Sequence, residues 1–215
     1  MTPEPTAPLP LRERKKLRTR QALIDAALDL FGTHGFDGVT LDGLCEAVEV
    51  SKRTFFRYFD SKEDVAMAPT QDLWAAFLDV LKTSPADGRA LLALFEDALA
   101  EAIGRMPADG WAERALASRR LASRTPSMDA HGLAFCDRTT RSALAVVERR
   151  FTLRGCRGEP HARLALDVLV AVFHRALDAW VAQPSGHTPE DLVRRLRATG
   201  AELPRALAVT AEPRA

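Results

Sequence analysis

Apolar residues recur at helical spacing along most of the chain, and glycine or proline marks the breaks between the repeats. Leu17, Ala22, Ile24, Ala27, Leu28, Leu30 and Phe31 form one stripe, which predicts a long helix over about residues 14–33. Gly32, Gly35 and Gly38 interrupt the pattern, and Phe36 and Val39 sit where the chain can dock back on a core. Thr40 is a cap for a short helix whose inner side is Leu41, Leu44 and Cys45. Glu49-Val50 forms a turn, and Ser51 caps a second helix expected over 52–59. Phe55 and Phe59 are four apart and share its inner face. Lys52, Arg53, Arg57 and Tyr58 are left for solvent or a polyanion. A short helix anchored by aromatics and armed with Arg and Lys has the design of a helix-turn-helix reading helix.

Ser61 and Asp64 form a capping box with Asp in place of Glu, predicting a connector helix from residue 62. Pro69 falls inside it, so a kink or restart is expected near residue 68. Trp74, Phe77 and Leu81 then share one face. Further helices are expected over 89–106, 111–122, 129–152 and 160–183, with Thr125-Pro126 closing the 111–122 helix. Thr188-Pro189-Glu190-Asp191 combines a cap, an N-terminal proline and two acids, and starts a last helix over 188–203, with a restart after Pro204. The stretch from Leu164 to Phe173 is apolar nearly all round and needs cover on more than one side; Leu169, Val172 and Phe173 form the face assigned to a second subunit. The fold class is all-α.

Charge sharpens this picture. The formal net charge is only +1, but its distribution is uneven. Arg12, Arg14, Lys15, Lys16, Arg18 and Arg20 stand against Glu13 alone. Residues 21–50 then carry carboxylates and no Lys or Arg, and 51–62 return to basic. From residue 63 onward the two signs balance. Local basic patches on a neutral body suit a protein that touches phosphate with one end. The proline-rich residues 1–10 are expected to be a disordered tail. No apolar run reaches the length of a membrane span and no leader pattern is present, so the expected compartment is the cytoplasm.

Residues 40–62, TLDGLCEAVEVSKRTFFRYFDSK, together with the preceding LDLFGTHGF, resemble the DNA-binding domain of the TetR repressor family. The resemblance covers the first ~65 residues. It implies a three-helix helix-turn-helix domain over 11–62 and a helical ligand-binding and dimerisation domain over 63–215. It also implies a repressor that leaves a palindromic double-stranded operator when a small ligand binds. By the same resemblance, Lys62 is a phosphate contact at the start of the connector helix, and two helices of the C-terminal half form a four-helix bundle in a homodimer. The RTFFRYF variant is similar to members with an acyl-CoA-type ligand domain. Two positions depart from the family pattern. Glu49 stands where the family usually has glycine, at a cost on the order of 1–2 kcal/mol if φ is positive there. Phe56 stands where tyrosine is usual; it cannot bond a phosphate and offers apolar contact, as to a thymine methyl. Members of the family also act as activators or without ligand, which leaves an activator, or a constitutive DNA-binding dimer, as the alternative.

The candidate DNA contacts are thus Arg18 from the basic arm, Thr40, Lys52, Arg53, Thr54, Phe56, Arg57, Tyr58 and Lys62, with Arg53 and Arg57 placed for bidentate guanine contacts. The bland reading of the same residues is a solvated basic face. In the second half Trp74, Phe77, Phe95, Trp111, Met128, His131, Phe135, Phe173 and His174 are candidates to line a mostly apolar effector cavity, with His131 and His174 as polar anchors. Their bland reading is a packed core. The histidines are scattered without HExxH spacing, and Cys45, Cys136 and Cys156 show no CxxC, so no metal site or cofactor is expected. No nucleophile with a base is evident, and an enzyme is not the expected class. A helical partner-binding module is the remaining rival.

Overall fold

The computed structural model describes residues 10–154 and 158–211. The tail assigned to 1–10 lies, but for Pro10, outside the described residues, as does Cys156. The described residues are helical, with no strand among them. Helix α1 is Leu11–His34, α2 Leu41–Ala47, α3 Lys52–Phe55, α4 Lys62–Leu81 and α5 Leu91–Gly104; α6 is Trp111–Ala122, α7 Pro126–Arg150, α8 Glu159–Val181, α9 Pro189–Ala201 and α10 Leu203–Leu207.

The apolar stripes converge on two clusters. The first collects Leu23, Ala27, Phe31, Phe36, Leu44, Phe55 and Phe59, and takes Val65, Ala66 and Ala68 from the start of α4. Leu121 of α6 and Met128 of α7 reach into it from the other half. The second collects Leu73, Phe77 and Leu81 of α4 with the inner faces of α5, α6, α7, α8 and α9. Trp74 stacks edge-on against Phe173 at 5.4 Å and 81°, which joins α4 to α8. Helix α4 therefore has one foot in each cluster.

Capping follows the side chains expected to supply it. Thr40 Oγ1 accepts from Gly43 N, Ser51 Oγ from Thr54 N, Ser61 Oγ from Asp64 N and Thr188 Oγ1 from Asp191 N, each at 3.1 Å. The return half of the Ser61 box is displaced by one residue, because the Asp64 carboxylate accepts from Asp60 N at 3.0 Å.

Several expectations are corrected. Helix α4 runs unbroken through Pro69, with no restart at residue 68, because both its ends are buried. The reading helix is a single α-turn over Lys52–Phe55, continued by turns to Tyr58, so Arg57 and Tyr58 stand beyond its regular part. Pro126 opens α7 instead of merely closing α6; at the first helical position its missing N–H costs nothing. Leu169, Val172 and Phe173 are 0%, 5% and 2% exposed within one chain, so the assumed second cover for that face is the chain's own core. The exposed positions of α8 instead include Leu164, Ala171 and Ala179 beside Asp167, His174 and Arg175.

Glu49 has φ 55°, a positive value found at no other non-glycine among the described residues. Its side chain is exposed, so nothing packed is lost by removing it. Glu49→Gly should therefore stabilise the protein by about 1 kcal/mol, read as a rise in the urea midpoint. An unchanged or lower midpoint would show that the turn bears no strain.

Candidate functional site

The segment Ser51–Asp60 is held from beneath. Phe55 and Phe59 are buried, 5.8 Å apart between ring centroids, while Arg53, Phe56 and Arg57 are exposed. Arg57 lies against the Tyr58 ring, with its guanidinium carbon 5.1 Å from the centroid. The N-terminal turns of α1 project beyond the first cluster, which begins at Leu23. Arg12, Lys15, Lys16 and Thr19 share a groove with Arg57 and Tyr58. The arm and the reading segment thus form one continuous basic surface. Arg18 is exposed on the same stretch of α1 but is not in that groove.

Other candidates are engaged within the chain. Lys52 pairs with Asp42 at 2.8 Å, with both side chains more than half exposed. That pair and its hydrogen bond raise the Lys52 pKa. Thr40 caps α2, and the half-buried Thr54 shares a hydrogen bond with Ser51 Oγ at 3.1 Å. Lys62 is turned inward. Its ammonium donates to Phe36 O at 2.9 Å and Val39 O at 2.7 Å and sits 4.5 Å from the Phe36 ring centroid. It closes the loop between α1 and α2, so a phosphate would have to share it. Arg20, which no DNA role requires, forms a bidentate pair with Asp72 at 2.9 and 2.8 Å and ties α1 to α4.

The second site is a cavity of about 510 Å³ between α4, α6, α7 and α8. Of the expected lining residues, Trp74, Phe77, Met128, Phe135, Phe173 and His174 form its wall. Phe95, Trp111 and His131 do not. Phe95 is fully buried on α5, which packs on the far side of α4. Trp111 is buried against α4, its Nε1 donating to Pro69 O at 3.1 Å. His131 points toward α4, with Nε2 at 3.6 Å from Asp64 and 3.5 Å from Gln71.

Sequence reasoning missed Met67, Thr70, Ser118 and Arg119 on the wall. For α4 a signal existed, since 67, 70, 74 and 77 share one helical face. Ser118 and Arg119 gave none, because polar residues of α6 read as solvent-facing. Arg119 donates to Asp178 from Nη2 at 2.6 Å and Nε at 3.2 Å, an ion pair in which Asp178 is shared with Arg175. His174 is an exposed member of the cavity wall whose ring is partly shielded by the surrounding protein. That burial first, and the Arg119 guanidinium second, hold its pKa below the ordinary value, against Asp178. Of the cysteines, Cys45 is core, its pKa raised by burial first and by Asp42 second, and Cys136 is half-buried on the cavity wall.

Two outcomes follow from this geometry. Lys62→Met should lower stability by about 1–3 kcal/mol, because the Phe36 and Val39 carbonyls lose their donor. An unchanged urea midpoint would show that this ammonium does not hold the loop. His174 favours the neutral form when folded, so the unfolded chain takes up the proton first. Its contribution is therefore complete above the ordinary histidine pKa of about 6.5 and is lost as the pH falls through the folded-state value. Between about pH 7.5 and about pH 5.5, His174→Gln should lose less stability than the wild type. An equal loss would remove His174 as a source of acid sensitivity.

The profile described as "Bacterial regulatory proteins, tetR family" matches residues 23–68. The chain is 42% identical over 123 residues to the HTH-type transcriptional regulator TcmR of Streptomyces glaucescens, covering 55% of this chain and 54% of TcmR. It is 34% identical over 85 residues to the HTH-type transcriptional regulator RutR of Escherichia coli, covering 40% of each. The chain thus spans about half the length, or less, of these curated relatives. A putative TetR-family transcriptional regulator from Syntrophomonas wolfei shares the fold with a TM-score of 0.56 at 19% identity, covering 91% of this chain and 100% of that one. The fatty acid degradation regulator FadR from Bacillus halodurans shares it with a TM-score of 0.51 at 17% identity, covering 86% and 94%. Residues 23–68, which include the reading segment, thus match the tetR-family model in sequence, and the fold over most of the chain is that of a solved TetR-family regulator.

Proposed function

We propose that this chain is a DNA-binding transcriptional regulator, a repressor that leaves a palindromic operator when a small, mostly apolar molecule fills the cavity. The observation that carries the reading is the continuity of basic surface from Arg12, Lys15 and Lys16 on α1 to Arg57 on the reading segment. Arg53 and Arg57 are the exposed guanidinium groups beside the major groove in this reading, Arg57 leaving its contact with Tyr58 to reach a base, and Phe56, 53% exposed, supplies apolar contact. Arg18, Thr40, Lys52, Thr54 and Tyr58 set the register through phosphates, as does Lys62 where its ammonium is shared. Residues 11–62 would carry this work and 63–215 the sensing and assembly, in the cytoplasm.

Two heads are needed for a palindrome, so the regulator acts as a homodimer. Leu164, 61% exposed, and the small exposed alanines of α8 allow close approach of a second copy. The cavity suits an effector of ordinary small-molecule size with few polar anchors, His174 among them. The effector acts by shifting the population toward dimers whose heads are wrongly spaced.

The test is a mobility-shift titration with DNA from its own promoter region at fixed salt. Arg53→Ala and Arg57→Ala should each weaken specific binding by about 1–3 kcal/mol, with little effect on unrelated duplex. Wild-type affinity in both variants would overturn the reading. Sedimentation should give a dimer at micromolar protein, and a monomer would contradict the two-headed arrangement.

A further inference from the structure

Pro69 lies inside α4 at the seam between the two clusters: Ala68 belongs to the first and Leu73 to the second. Proline has no amide hydrogen, so the backbone bond that residue 69 would return to Val65 cannot form, and the ring crowds that carbonyl. The connector is therefore weakest at the turn that joins the two halves. Yet the helix passes through it unbroken.

Two donors from one neighbouring helix grip this turn. Trp111 Nε1 donates to Pro69 O at 3.1 Å, and Ser118 Oγ donates to Ala66 O at 2.7 Å. Both side chains are buried. Positions 111 and 118 are about two helical turns apart, so they lie on the same face of α6. Their acceptors, the carbonyls of Ala66 and Pro69, both lie within the 65–69 turn whose closing bond is missing. Ser118 also forms part of the cavity wall, together with Met67 and Thr70 of α4. A molecule in the cavity thus touches the weak turn itself and one of the two groups that hold it.

We propose that Pro69 is a hinge in α4, and that Ser118 and Trp111 are positioning residues that hold it closed and so set the direction of the basic head. A cavity occupant with a hydrogen-bonding group competes for the Ser118 hydroxyl and loosens the hinge. The inference rests on the proposed function only in what the head binds; the hinge itself is a property of the fold.

The test has two arms, both on the full chain without added effector. In backbone amide exchange, Ser118→Ala and Trp111→Phe should each speed exchange at residues 70–73 by about fivefold or more, the effect of one net hydrogen bond. Amides of α8 should keep their rates. Pro69→Ala, which restores the missing N–H, should return residues 70–73 to slow exchange in either background. The second arm is a double-mutant cycle on affinity for a duplex selected by the wild type from a random pool, at fixed salt. Ser118→Ala should weaken binding about fivefold with Pro69 in place and less than about twofold in the Pro69→Ala background. A merely structural Ser118 gives equal losses in both backgrounds. That result, or faster exchange spread evenly over the chain, overturns the hinge. If the wild type selects no duplex, the proposed function falls, and the exchange arm alone decides the hinge.

Discussion

Helix α4 has to satisfy two hydrophobic clusters at once. Over its 20 residues it presents Val65, Ala66 and Ala68 to one core and Leu73, Phe77 and Leu81 to the other. At 1.5 Å per residue it spans about 30 Å, enough to reach from one cluster into the next. Because both ends are committed, the orientation of the basic head is not free. It is set by what surrounds that helix, where α1 packs from the head and α5, α6 and α7 pack from the other half.

The polar groups that matter for architecture follow a common pattern. They are donors spent on main-chain carbonyls at places where the helical ladder ends or fails. Lys62 serves the loop after α1, Ser118 and Trp111 serve the middle of α4, and Arg150 Nη1 closes the end of α4 by donating to Leu81 O at 2.7 Å and Ser84 O at 3.0 Å. Trp180 Nε1 does the same for Thr188 O at 3.2 Å, just ahead of α9. Each meets a main-chain carbonyl at a helix end or beside the missing bond at Pro69, in some cases as a second donor, since Leu192 N already bonds Thr188 O. Apolar burial supplies the bulk of the stabilisation; these bonds choose which of several packings the helices adopt.

The helices and their starts were legible because capping and periodicity are local. Thr40, Ser51, Ser61 and Thr188 all cap as their sequence context implies. The positive φ at Glu49 was legible from the departure from glycine at one turn position. The failures share a cause: they needed tertiary information. Pro69 reads as a break until the two cores that bury α4 on either side of it are known. The bonds from Lys62 to the Phe36 and Val39 carbonyls could not be foreseen for the same reason. Leu169, Val172 and Phe173 look like a surplus face because periodicity counts apolar positions on one helix but not how many neighbours surround it. Trp111 and Phe95 were sized for a cavity wall, yet size does not tell wall from core. The cavity's polar members were illegible for the opposite reason, since Ser118 and Arg119 look like surface until α7 and α8 splay around them.

The segregation of charge along the chain has a kinetic meaning. A near-neutral molecule whose unbalanced basic patches lie in its first 62 residues presents an asymmetric field, and such a field turns the molecule in front of a polyanion. Within a Debye length of about 8 Å at physiological ionic strength, this chain would arrive at a duplex basic end first. Non-productive encounters, body first, gain nothing from the balanced charge beyond residue 63. An asymmetric field of this kind speeds encounter with a polyanion from one side without making the whole surface adhesive, a balance that a uniformly basic surface of the same size could not strike.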